Sequence, residues 1–129
     1  MQPNEISGRI VETVVTIHRE LGPGLLESVY HRILTYELKK QNLQVESECP
    51  IEVLWDGQRM DLGFRADLIV EQTVLVELKS VEKLAPVHSK QVLTYLKVGG
   101  YPLGLLLNFG DELMKKGIIR LVNRLPENM

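Results

Sequence analysis

Apolar residues recur at helical spacing over residues 5–21. Ile6, Ile10, Val14, Ile17 and Leu21 share one face, and Glu5, Arg9, Glu12 and Arg19 lie mostly elsewhere. Gly22-Pro23-Gly24 ends this helix, with glycine just past the last turn and proline beyond it. The same periodicity predicts a second helix over residues 25–41, with Leu26, Val29, Ile33, Leu34 and Leu38 apolar. The chain therefore opens with two helices and a tight elbow.

The period then shortens. Residues 45–54 alternate loosely, with Val45, Ile51, Val53 and Trp55 directed inward, and Pro50 marks a sheet edge or a bulge. Asp56-Gly57 is a two-residue turn signal, and residues 58–70 form the return strand. After Glu71-Gln72-Thr73 a third strand covers residues 74–80, completing an antiparallel meander. Pro86 opens a helix that runs to Val98 and stops at Gly99-Gly100. Residues 101–107 are a fourth, apolar strand, ending at Asn108-Phe109-Gly110. Residues 111–116 are a loop or a helical turn, and residues 118–122 a final strand. From Pro126 the chain is expected to fray. With no repeat or low-complexity segment, residues 1–129 are expected to form a single domain.

Composition narrows the class. Apolar residues make up 44% of the chain and charged residues 25%, which is ordinary globular usage. Cys49 is the only cysteine, so no internal disulfide forms, and a reducing, cytoplasmic setting is expected. No basic segment leads into an N-terminal apolar run, and no stretch reaches the length of a membrane span. The expectation is a protein without leader or membrane anchor. The net charge of −2 carries no global basic signature, so any contact with nucleic acid must be local.

Three charges interrupt the apolar run of the central hairpin: Asp67, Glu77 and Lys79. Glu77 and Lys79 are two apart and share a face. Asp67 joins them only if Val70 opposes Val74, which leaves Glu71-Gln72-Thr73 as a three-residue loop. A two-residue loop would turn Asp67 to the other face. The odd loop, or an equivalent bulge, is the expectation. Two converging carboxylates suit a hard divalent cation, which prefers oxygen ligands and keeps several waters. A partly buried salt-bridge cluster explains the same three charges equally well from the hairpin alone.

The helices add polar residues at meaningful spacing. Glu27 falls in the first turn of the second helix, where a carboxylate also suits the helix dipole, and Tyr30 follows on the same side. On the third helix His88, Gln91 and Tyr95 form one stripe, flanked by Val92 and Leu96, with Lys90 and Lys97 opposite.

Gly24-x-x-Glu27-x-x-Tyr30 resembles the signature of the GxxExxY protein family, grouped with the PD-(D/E)xK nuclease superfamily. The resemblance runs from the first helix to Asn108-Phe109-Gly110. Asp67 matches the first acidic position of the superfamily motif, with Ala66 in place of its nominal proline, and Glu77-Leu78-Lys79 matches the second element. Glu27 is similar to the helix-borne carboxylate of exonuclease-like members, and Gln91-x-x-x-Tyr95 resembles the helix motif of the RecB-like branch.

The resemblance implies an α/β fold with a restriction-endonuclease-like core. Its mixed central sheet would hold an antiparallel meander flanked by helices, in the order α-α-β-β-β-α-β-β. It implies a nuclease hydrolysing phosphodiester bonds, exonuclease-like and acting on DNA. Mg²⁺ or Mn²⁺ would be held by Glu27, Asp67, Glu77 and the carbonyl of Leu78. Lys79 would orient water or stabilise charge on a phosphoryl oxygen, and Gln91 and Tyr95 would contact the phosphate or buttress the site. Tyr30, His88, Lys83 and Lys90 are candidate substrate contacts. Arg65, Lys115 and Lys116 are further candidates for phosphate, and Trp55 and Tyr101 for base stacking. A homo-oligomer would supply the basic surface that one chain lacks. The competing alternative is a non-catalytic nucleic-acid-binding or partner-binding accessory domain that retains the fold.

Overall fold

The computed structural model describes residues 1–125, so the fraying expected from Pro126 lies outside the described residues. Helix α1 (Pro3–Leu21) starts with proline in its first turn and ends at Gly22, whose φ of 72° favours a residue without a side chain. Its stripe Ile6, Ile10, Val14 and Ile17 is buried. Burying each such side chain contributes roughly 1.5–3 kcal/mol. Helix α2 (Glu27–Lys40) begins at Glu27, two residues later than the periodicity predicts. Its N-cap is the extended Leu26, so the elbow takes in Leu25 and Leu26.

The sheet has five strands in the order β1 (Val45–Trp55), β2 (Gln58–Val70), β3 (Val74–Lys79), β4 (Leu103–Asn108), β5 (Ile118–Val122). Only β3 and β4 are parallel, joined by the crossover helix α3 (Pro86–Gly99). The restriction-endonuclease-like α/β fold is therefore the one observed, and residues 114–116 form a single 3₁₀ turn. β3 and β4 are the two apolar central strands, as expected of strands covered on both faces. Leu68, Val76, Leu78, Leu105 and Leu107 pack with α1 and α2, whereas Ile69, Leu75 and Leu106 pack with Val92 and Leu96 of α3.

The hairpin register is the odd one. Val70 faces Val74, Ile69 faces Leu75 and Leu68 faces Val76, leaving Glu71, Gln72 and Thr73 as the loop. Glu71 and Gln72 both adopt φ of 53°, as three-residue loops with a left-handed position require.

Beyond this short ladder β2 parts from β3. β3 stays paired with β4 through Lys79 and Asn108, but β2 continues beside β1 alone. The two strands thus form a fork whose vertex is at Asp67 and Glu77. β2 also changes face there. Leu68 packs on the α1–α2 side, yet Ala66, two residues earlier, packs on the α3 side with Ile51. A straight strand would keep both on one face. The β1–β2 ladder skips the pair Glu48 and Asp67, and Glu48 has φ of 53°, so the twist is concentrated at that step.

The outer half of the ribbon runs past the core. Trp55 is 74% exposed rather than inward, and Val53 is only half-buried, because among the described residues β1 and β2 pair only with each other at the ribbon tip. Pro50 lies on β1, which is an edge strand, consistent with its missing N–H.

Candidate active site

Asp67 and Glu77 meet at the vertex of the fork. The Asp67 N–H donates to Glu77 Oε1 at 3.0 Å, and the Leu78 N–H donates to Asp67 Oδ2 at 2.8 Å. Each carboxylate thus takes the place of a backbone carbonyl where the β2–β3 ladder ends. These bonds hold both side chains in one orientation.

Glu77 is buried, and its carboxyl is pushed up to about 8. Burial is the main cause, followed by the adjacent Asp67 charge, while the Asp67 N–H and Lys79 pull the other way. Among the described residues neither Asp67, Glu77 nor Lys79 takes part in an ion pair within 4.0 Å. A structural salt-bridge cluster requires such pairs, so that explanation of the three charges loses its support. Two adjoining carboxylates with no basic side chain locked onto them form a place where a cation lowers the energy.

Glu27 borders the same site. Its carboxyl is raised, first by partial burial and then by the Asp67 charge, while Lys79 and His31 lower it. The charge of Lys79 thus reaches both Glu27 and Glu77. On the opposite side Tyr95 of α3 has its hydroxyl raised by burial and by the charges of Glu77 and Asp67. Its ring stacks on Phe64 of β2, with centroids 3.6 Å apart. Gln91 is exposed one turn earlier on α3, on the Tyr95 stripe.

Leu78 buries its side chain in the α1–α2 core, and its N–H is committed to Asp67. Among the described residues no three His, Cys, Asp or Glu side chains form a complete metal cage. Asp67 and Glu77 with Glu27 at the rim offer a partial oxygen set instead. That suits a small hard cation, which retains water in its remaining positions.

One candidate contact is corrected. Tyr30 is fully buried, stacked on Phe109 at 4.2 Å between centroids, with its hydroxyl donating to the Gly22 carbonyl and accepting from the Leu25 N–H at 3.1 Å. It closes the elbow and presents no surface to a substrate. His88 caps α3: its Nδ1 accepts from the Ala85 N–H at 3.0 Å, and its own N–H returns a bond to the Ala85 carbonyl at 3.0 Å. Tyr101 packs on the α3-side core, which leaves it little face for a base. Lys83, Lys90, Lys115 and Lys116 are exposed, and Arg65 donates to the Glu48 carbonyl at 3.2 Å.

Sequence patterns missed the roles of three residues beside the site. Asn108 is fully buried at the end of β4, level with Lys79. Its Oδ1 accepts from Val81 and Gly110 N–H at 3.0 and 3.1 Å, and its Nδ2 donates to the Val81 carbonyl and to Asp111 Oδ2 at 2.9 and 2.8 Å. Gly110 lets Val81 approach, since a Cβ there would lie 2.0 Å from the Val81 carbonyl oxygen. Ser80 donates to the Leu25 carbonyl at 2.8 Å, which ties β3 to the elbow. The only hint in the sequence is an Asn that ends an otherwise apolar strand.

A forked mixed sheet with paired carboxylates at the fork and a lysine two residues further along the strand defines a restriction-endonuclease-like architecture. The chain belongs to the PD-(D/E)XK nuclease superfamily, whose sequence profile it matches over residues 4–121. Among solved structures it is similar to the crystal structure of SSO0001, with a TM-score of 0.51 and 21% identity. The match covers 78% of this chain and 52% of that one, so the chain spans about half the length of that protein, and the likeness is one of fold. No curated protein shows significant sequence similarity to the chain. No helix among the described residues is long and apolar enough to cross a membrane.

Proposed function

We propose that this chain is a divalent-cation-dependent phosphodiesterase acting on DNA, with an exonuclease-like site of the GxxExxY kind. The observation that carries the proposal is the Asp67–Glu77 pair, two interlocked carboxylates that no ion pair among the described residues neutralises. Asp67 and Glu77 would hold Mg²⁺ or Mn²⁺, with the Leu78 carbonyl and Glu27 as further oxygen donors. Such a cation neutralises the scissile phosphate and acidifies bound water.

The remaining roles belong to the chain. Lys79, whose charge reaches both Glu27 and Glu77, donates to the attacking water or to a phosphoryl oxygen. Tyr95 and Gln91 line the α3 wall and bind the phosphate or orient the carboxylates. Glu27 supports the exonuclease-like assignment, because it adds an acidic group from a helix to the pair on the sheet. The net charge of −2 makes a second copy, or further chain, the natural source of basic surface for the DNA backbone.

The test is a gel assay on labelled single- and double-stranded DNA and RNA with EDTA, Mg²⁺ or Mn²⁺. Glu77→Ala and Lys79→Ala run beside the wild type. Cation-dependent degradation that both variants lose supports the proposal, and the product ladder separates stepwise from internal cleavage. A wild-type protein inactive on every substrate and silent in cation titration calorimetry would falsify it.

A further inference from the structure

Resting on the nuclease reading above, we infer that Ser80 and Tyr30 are positioning residues that set Glu27 beside the strand carrying Glu77 and Lys79 by gripping the backbone of Leu25. The elbow has no apolar anchor of its own. Residues 23–29 are all exposed, with Leu25 at 37% and Leu26 at 75%. Apolar packing of α2 begins only at Tyr30, one turn after Glu27, so the elbow before it needs other bonds.

Two hydroxyls supply them. The Leu25 N–H donates to the Tyr30 hydroxyl at 3.1 Å, and the Leu25 carbonyl accepts from the Ser80 hydroxyl at 2.8 Å. Both backbone groups of Leu25 are thus held by side chains, two residues before Glu27.

Each hydroxyl sits on a rigid support. Tyr30 is fully buried against Phe109, and its hydroxyl also binds the Gly22 carbonyl at the end of α1. Ser80 lies between Lys79, paired to Asn108 across the parallel ladder, and Val81, whose N–H and carbonyl are both bound by the Asn108 carboxamide. The strand carrying Glu77 and Lys79 thereby reaches across to the helix carrying Glu27. This also gives a physical reason for Tyr30 at three residues past Glu27: at that spacing the ring points into the core and its hydroxyl returns to the elbow.

The experiment compares Ser80→Ala, Ser80→Thr, Tyr30→Phe and Glu27→Gln, and each hydroxyl variant in the Glu27→Gln background. Activity on single-stranded DNA is followed across a Mn²⁺ titration, with amide exchange read at Leu25 and Leu78. Ser80→Ala and Tyr30→Phe should speed exchange at Leu25 and leave Leu78 protected. Each should lower kcat about 10–100-fold with little change in KM for DNA, as loss of supports behind active-site ligands does. Neither should reduce activity further once Glu27 is Gln, since residues acting through one group are not additive. Ser80→Thr, which keeps the hydroxyl, should restore the rate.

If Leu25 is released and kcat holds, or if the losses add to that of Glu27→Gln, positioning is refuted while the nuclease reading stands. If the wild type neither cleaves nor binds Mn²⁺ by calorimetry, the nuclease reading has failed and this inference fails with it.

Discussion

Asp67 and Glu77 are joined crosswise: the Asp67 backbone N–H binds the Glu77 carboxylate at 3.0 Å, and the Leu78 N–H, next along from Glu77, binds the Asp67 carboxylate at 2.8 Å. The two side chains end the β2–β3 ladder where backbone carbonyls would otherwise continue it. The acidic residues thus cap the ladder at the fork, so the opening of the sheet and the site coincide.

Glu77→Gln should stabilise the cation-free protein while removing activity. Its carboxyl is pushed up to about 8 by burial and by Asp67, so ionised Glu77 strains the fold at alkaline pH. An amide keeps the bond from Asp67 N–H and carries no charge. Urea unfolding at pH 8 with EDTA should show a gain of about 2–4 kcal/mol, one pKa unit being about 1.4 kcal/mol. An unchanged or lower stability would show that the buried charge is already compensated.

The same carboxyl sets a pH dependence. A carboxyl raised on folding from 4.5 to about 8 leaves the native state holding more protons than the unfolded chain between those values. Its contribution is therefore fully present below about pH 4.5 and is lost as pH rises toward 8. Cation-free Tm should fall across that window in differential scanning fluorimetry. Added Mn²⁺ should raise Tm more at pH 8 than at pH 6, because the cation binds the ionised pair.

Lys79→Ala should separate catalysis from cation binding. Lys79 lowers the carboxyl pKa of both Glu27 and Glu77, so its charge lies close to each. Removing it should lower kcat about 10²–10³-fold, the scale of a lost transition-state donor. Cation affinity measured by calorimetry should hold or tighten, since a competing positive charge is gone. Loss of affinity would argue that Lys79 instead organises the carboxylates.

Asn108→Ala should destabilise the fold strongly. It removes the fully buried carboxamide that binds the Val81 N–H and carbonyl, the Gly110 N–H and the Asp111 carboxylate. Each lost hydrogen bond contributes about 0.5–1.5 kcal/mol, so urea unfolding should show a loss of at least about 2 kcal/mol. Trp55→Ser, at the exposed ribbon tip, should change stability by no more than about 0.5 kcal/mol in the same assay.

Loop length was enough to give the hairpin register. With Glu71-Gln72-Thr73 as an odd loop, the ladder runs to Leu68 facing Val76, one step short of Asp67 and Glu77. Helix periodicity likewise placed Glu27 and Tyr95 in their helices, because a stripe of apolar residues states which side of a helix is buried. Trp55 and Tyr30 show the limit. Trp55 alternates like a core residue but lies where, among the described residues, β1 and β2 pair only with each other, and Tyr30 reads as a contact residue but is stacked on Phe109, 79 positions away in sequence.

The chain by itself thus determined the elements, the hairpin register and the identity of the charged residues, because those depend on neighbours a few positions apart. Tertiary structure alone decided that β2 leaves β3 at Asp67 and changes face there. It also decided that Asn108 clamps Val81 and that Ser80 reaches Leu25, 55 residues away in the chain. Those contacts join segments distant in sequence. A hydroxyl or amide becomes a support only when packing brings it within about 3 Å of an unpaired backbone group, and no local pattern encodes that approach.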